Sequence, residues 1–225
     1  MVVETGLLVD NCFYKRTILF MLLHRPLLIV TPTVDGDVLN LLARADAAFT
    51  APKVQRLLER YSVPGVRKVL NRLVKQGIVN ADQAGRTLSY RLNRDHLAAA
   101  PIIELAHLDA ALVERIRTAV ATWDQAPLLV MLFGSAATGR MRVDSDIDLF
   151  VVGHEPSDAR DRWRAQISDL ELDIAKWTGN DTRVLAYSVD DLKHTNDVVV
   201  DDIARDGVFI AGDRTLLHRS HRQAG

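Results

Sequence analysis

Asp146 and Asp148 stand one residue apart at the mouth of an apolar run, and their type and spacing suit them to chemistry. In an extended chain successive side chains alternate, so both carboxylates leave from one face while Ile147 points the other way. Two neighbouring carboxylates repel each other, and a hard divalent cation such as Mg²⁺ relieves that repulsion. Upstream, Gly134 and Ser135 close a second apolar run, residues 128–133. That run is too short for a lone buried helix and reads as a central strand. A helix beginning near Ala136 and running toward Gly139 would aim its free N–H groups back at the strand end. With the Ser135 hydroxyl it offers an anion pocket suited to a triphosphate. The pattern therefore asks for phosphate chemistry, with a metal between two acids beside a bend that grips phosphate. The plainer alternative is an Asp-rich turn, residues 144–148, that merely begins a strand.

Several elements must hold these groups in place. Residues 149–152 continue the acidic segment as a second central strand. Trp163, Ile167, Leu170, Ile174 and Trp177 recur at helical spacing and would cover the sheet, leaving Arg160, Arg162, Arg164 and Lys176 to face out or toward the phosphate cleft. Residues 183–187 form a further strand, 198–203 a short helix and 208–210 a closing strand.

The order of strand, Gly-Ser bend, helix, Asp-x-Asp and strand resembles the nucleotidyltransferase superfamily that includes polymerase β, in particular its minimal bacterial members. Gly134, Ser135, Asp146 and Asp148 match the signature, and Gly139, Arg140 and Ser145 fit the minimal members. The resemblance implies transfer of a nucleoside monophosphate from an NTP to a hydroxyl or phosphate acceptor. It implies Asp146 and Asp148 as catalytic Mg²⁺ ligands, and Gly134, Ser135, Arg140 and Ser145 as nucleotide contacts. Active members usually bring a third carboxylate from a neighbouring strand. Here that strand, residues 183–187, contains no acid; Asp181 at its mouth and Asp190 and Asp191 just past its end are candidate substitutes, though each reads more simply as a cap. Two functions stay open on that point: an active transferase, or a degenerate domain that only binds nucleotide or a partner. Minimal members also occur in toxin–antitoxin pairs.

The first half reads differently. Val38, Leu41 and Leu42 predict a helix over 37–45, with Asp35 and Gly36 as its opening turn. Thr50 caps a second helix, over 50–61, with Pro52 in its first turn and Val54, Leu57 and Leu58 buried. After a turn at 62–65 a third helix carries Val66, Val69, Leu70 and Leu73 inward and stops at Gly77. Residues 78–92 then alternate about a turn at Ala84 and Gly85, with Leu88, Tyr90 and Leu92 on the return strand. The series resembles the winged helix-turn-helix family over residues 33–97. That resemblance implies DNA binding, with Arg67, Lys68, Arg72 and Lys75 on the third helix and Arg86 and Arg91 on the wing neutralising phosphates. A solvated basic face is the alternative.

Residues 101–123 predict one linker helix through Ile102, Leu105, Leu108, Leu112, Ile116 and Val120. The chain of 225 residues thus divides into an apolar arm (1–32), a winged helix-turn-helix domain (33–100) and a nucleotidyltransferase domain with its linker (101–225). The fold class expected is α/β (α+β), with a mixed sheet flanked by helices in the second domain. The 28 basic and 29 acidic residues nearly cancel, so DNA affinity must come from segregated charge. Cys12 is the lone cysteine, which excludes an internal disulfide and suits a reducing cytoplasm. Residues 18–30 are apolar but interrupted by His24, Arg25 and Pro26. They fall short of the roughly 20 residues a membrane span needs and lack a signal-peptide pattern. NTP and DNA are the expected partners, no membrane is, and the arm could join two copies of the chain in a homodimer.

Overall fold

A computed structural model of the chain describes residues 23–142, 144–154, 160–195 and 197–217. Most of the apolar arm, including Cys12, and the basic tail from His218 lie outside the described residues.

Helix α1 is Val34–Arg44, so Asp35 and Gly36 lie inside it and not in an opening turn; Thr33 takes the capping position. Acidic residues in a first turn favour the helix start. The bare Gly36 lets α1 pass the Thr31 carbonyl, which any Cβ there would strike. A two-residue strand β1 (Phe49–Thr50) precedes α2 (Ala51–Leu58), whose start is capped by the Thr50 hydroxyl. This helix ends before Tyr61 because Glu59 turns left-handed at φ 54. Its buried side is only Ala51 and Val54, and Leu57, expected inside, is 47% exposed. Helix α3 (Val63–Lys75) begins where a turn was expected: Ser62 caps it by accepting from Gly65 N, and Pro64 sits in the first turn where no N–H is needed.

Strands β2 (Val79–Ala84) and β3 (Thr87–Leu92) form the expected hairpin, with Gly85 at φ +62. Tyr90 and Leu92 are buried, but Leu88 near the tip is exposed. β1 adds to the far side of β3, completing an antiparallel sheet of order β1-β3-β2. Val38, Leu42, Val54, Val66, Leu70, Leu73 and Tyr90 share one core.

The single helix expected over 101–123 is two. Helix α4 (Ala99–Ala106) packs into the first core, and α5 (Leu108–Ala121) into the second, with the break at His107. Ala106 thus belongs to one core and Leu112 to the other. The end of the arm makes a second link: Leu27, in a short 3-10 helix Pro26–Ile29, is buried in the first core, and Leu23 in the second. Arg25 anchors that link with paired bonds to the buried Asp37 carboxylate, at 2.8 and 2.5 Å.

The second part is built on strands β4 (Leu129–Phe133), β5 (Ile147–Gly153), β6 (Thr182–Ser188) and β7 (Val208–Gly212). Their order is β6-β5-β4-β7, with β5 parallel to β6 and antiparallel to β4. A mixed sheet of this kind needs both faces covered. On one face Val130, Leu132, Ile147, Leu149 and Val151 meet α5 and α7 (Arg160–Thr178). On the other, Leu129, Met131, Phe150 and Val152 meet α8 (Val189–His194) and α9 (Val198–Asp206). Among the described residues no helix is long and apolar enough to cross a membrane.

Candidate functional site

The acidic segment enters the sheet from a loop held by its own polar groups. The Ser145 hydroxyl accepts from Arg142 N at 2.8 Å, and the fully buried Asn180 donates its side-chain amide to the Ser145 carbonyl at 3.1 Å. Ile147 N then bonds to the Asp181 carbonyl at 2.8 Å, fixing the register of β5 against β6. Ile147 is buried with α5 and α7, so Asp148 lies on the opposite face with Phe150 and Val152. Asp146 immediately precedes the strand, close enough for its charge to act on Asp148.

The Gly-Ser bend sits beside them. Gly134 has φ +69, and a Cβ there would lie 2.6 Å from Asp148 Oδ2, so the carboxylate rests against the bare glycine. Helix α6 (Gly134–Ala137) is one turn long and does not reach Gly139; Thr138 donates its hydroxyl to the Gly134 carbonyl at 3.0 Å. Ser135, Thr138 and Arg140 line a cleft of about 530 Å³ whose opposite wall is α9, with Asp202, Arg205 and Asp206.

In the parallel register Arg183 of β6 stands opposite Asp148, and its guanidinium donates to Asp146 at 2.7 Å. The Asp146 side chain is 22% exposed and that of Arg183 76%. Half-burial, with the Asp146 charge adding to it, raises the Asp148 carboxyl above its ordinary range, and Arg183 opposes the rise. Two acids and one guanidinium therefore share the rim, with a net charge near −1. Among the described residues no three carboxylate, imidazole or thiol side chains gather where a metal could sit. Asp191 instead caps α8 in a reciprocal pair with Ser188, whose hydrogen bonds hold its carboxyl below the ordinary range. Asp190 lines a separate hollow with Tyr187 and His194.

The structure thus brings Asp146, Asp148 and Gly134 together, puts Ser135 and Arg140 in the adjoining cleft, and turns Ser145 to bracing the loop. Three features escape the sequence. The ion pair of Arg183 depends on which strands pair and in what register. Asn180 looks like any turn residue until its burial is known. The α9 wall comes from more than 50 residues downstream of the bend.

On the first half, Arg67, Lys68, Lys75 and Arg86 are exposed. Arg72 is paired with Asp35 of α1, and Arg91 lies 3.4 Å from Asp82 across the hairpin.

Residues 115–213 match the family model described as "Polymerase beta, Nucleotidyltransferase". The matched stretch runs from within α5 to just past β7, and the mixed sheet with its helices is consistent with that fold. Two solved structures are similar over 50% of this chain. One is a toxin–antitoxin complex with AMP-PNP, 19% identical, 86% covered, TM-score 0.38. The other is a mutant of the toxin–antitoxin pair MntA-HpeT, 17% identical, 85% covered, TM-score 0.37. No curated protein matches the sequence.

Proposed function

We propose that this chain is an Mg²⁺-dependent nucleotidyltransferase that moves a nucleoside monophosphate from an NTP to an acceptor. The observation that carries the reading is the placement of Asp146 and Asp148 on one rim, with Asp148 against Gly134 beside the cleft of Ser135 and Arg140. The donor set fits the metal: Mg²⁺ favours oxygen ligands and often takes one or two carboxylates, completing its shell with water and substrate phosphates. Burial first, and the Asp146 charge second, raise the Asp148 carboxyl, and a cation there would offset both. When bound, Mg²⁺ supplies neutralisation of triphosphate charge. The residues do the rest: Gly134 leaves room for the Asp148 carboxylate, Ser135 offers a donor to phosphate, and Arg140 adds positive charge to the cleft wall.

Residues 33–100 form, in this reading, a winged helix-turn-helix module that directs the enzyme to DNA. Three helices, an antiparallel hairpin and the exposed Arg67, Lys68, Lys75 and Arg86 support it. The module's core takes in Leu27 of the arm and α4, so it extends past the expected bounds of 33 and 100 at both ends.

The test is isothermal titration of the four α,β-methylene nucleoside triphosphates, each with Mg²⁺. Binding that requires the metal and is lost in Asp146→Asn is expected. No binding by the folded chain, or an unchanged Asp146→Asn variant, would overturn the reading.

The Arg183–Asp146 ion pair favours a second reading: a DNA-binding regulator whose degenerate transferase domain only holds nucleotide or a partner, as one half of a toxin–antitoxin pair would. Incubation with α-labelled NTPs separates the two, since only the enzyme transfers label.

A further inference from the structure

We propose that the acceptor is a phosphate monoester, held by Arg183. The inference rests on the transferase reading above and names its acceptor.

Attack on the α-phosphorus of an NTP needs an oxygen nucleophile. A hydroxyl must lose its proton to become one, and that calls for a base within hydrogen-bond reach. Among the described residues, the side chains that line the cleft or face Asp148 are poorly suited to that task. Asp146 and Asp148 are the carboxylates a cation would take. Asp202 and Asp206 across the cleft are held by Arg205, at 2.5 and 3.2 Å. Directly opposite Asp148 on the neighbouring strand stands Arg183, and a guanidinium accepts no proton at any ordinary pH. What a guanidinium does well is grip a phosphate with two parallel bonds. A phosphate monoester is already ionised at neutral pH, so it needs no base, only positive charge to bring it up to the triphosphate.

Arg183 has the reach for this role. Its side chain is 76% exposed, so it can leave Asp146 for a ligand without crossing the packed interior. Once the Asp146 oxygen is committed to a cation, that carboxylate attracts the guanidinium less, and an incoming phosphate becomes its better partner. In the reaction an acceptor phosphate oxygen bonds to the α-phosphorus, the bond from that phosphorus to the α–β bridging oxygen breaks, and pyrophosphate leaves with the electron pair. The product is a phosphoanhydride, and no proton need be removed from the acceptor.

The experiment uses the full chain with Mg²⁺ and a saturating α,β-methylene nucleoside triphosphate, into which glycerol 3-phosphate or glycerol is titrated. Binding of glycerol 3-phosphate and not of glycerol is expected. Arg183→Gln should weaken it about 10- to 100-fold, the range for a lost bond to a charged group, and Arg183→Lys should recover part of it. Binding of the nucleotide analogue itself should change far less. In turnover with NTP, glycerol 3-phosphate should accelerate pyrophosphate release and glycerol should not. Equal behaviour of the two acceptors, or an Arg183→Gln variant that binds glycerol 3-phosphate like the native chain, overturns the proposal while leaving the transferase reading intact. Failure of the analogue to bind in the first place overturns the transferase reading and this proposal with it. Because Arg183 lies on the surface, circular dichroism should show all three chains equally folded.

Discussion

Replacing Gly134 with alanine should separate two effects that the structure superimposes at that residue. Its φ of +69 lies in the left-handed region, where a side chain costs about 1–2 kcal/mol of stability. In addition, the new Cβ would lie 2.6 Å from Asp148 Oδ2, closer than such atoms approach, so the carboxylate must move aside. Misplacing a catalytic group by about 1 Å can cost on the order of 100-fold, and a partial shift should weaken Mg²⁺–nucleotide binding about 10- to 100-fold. Gly85 is the matched control: it has φ +62 in the β2–β3 turn, and a Cβ there meets nothing within 4 Å. Gly85→Ala should lose a similar 1–2 kcal/mol, about what the backbone alone costs, and bind nucleotide like the native chain. Urea unfolding measures the first quantity and isothermal titration the second. If Gly134→Ala binds Mg²⁺ and nucleotide as Gly85→Ala does, the contact between glycine and carboxylate does not position Asp148.

Three further outcomes are expected. The Asp148 carboxyl is raised in the folded chain from an ordinary value near 3.8, so the folded state binds more protons than the unfolded one between those two values. Its contribution to stability is present below that ordinary value and fades as pH rises through the raised one; without divalent cation, Asp148→Asn should fade less, as urea unfolding across pH would show. Tyr61 donates to the buried Asp37 at 2.5 Å beside Arg25, so Tyr61→Phe should lose about 1.5–3 kcal/mol, typical of a bond to a charged group. Chemical denaturation checks this, and a variant as stable as the native chain would refute it. For DNA, removing Arg67 and Lys68 together should reduce the logarithmic salt slope of retention by about 2, whereas Arg72→Ala, already paired with Asp35, should change it less.

Periodicity and caps located most elements of this chain because they are local signals. Thr50 caps α2 where its hydroxyl was expected to, Gly77 takes a positive φ just beyond α3, and the apolar runs at 128–133 and 149–152 lie within or overlap the two central strands. Where structure departs from sequence pattern, a local ambiguity is resolved at a distance. A helical stripe continued across His107, yet the chain breaks there and its two halves pack into different cores. Leu57 has the spacing of a buried residue, but an eight-residue helix turned by Glu59 leaves it outside.

At the site, strand alternation set Ile147 and Asp148 on opposite faces, since a strand's geometry repeats every two residues, whereas Asp146 lies just before β5 and is tied to the site by Arg183. Sequence also showed that the neighbouring strand lacked an acid. Only the folded sheet made Arg183 the partner of Asp146, because that contact requires β6 to lie parallel beside β5 in the register that sets Arg183 against Asp148. A side chain's type is written in the chain, but the charge it answers is chosen by strands 35 residues apart in sequence, and backbone hydrogen bonds between them, not any local preference, decide that choice.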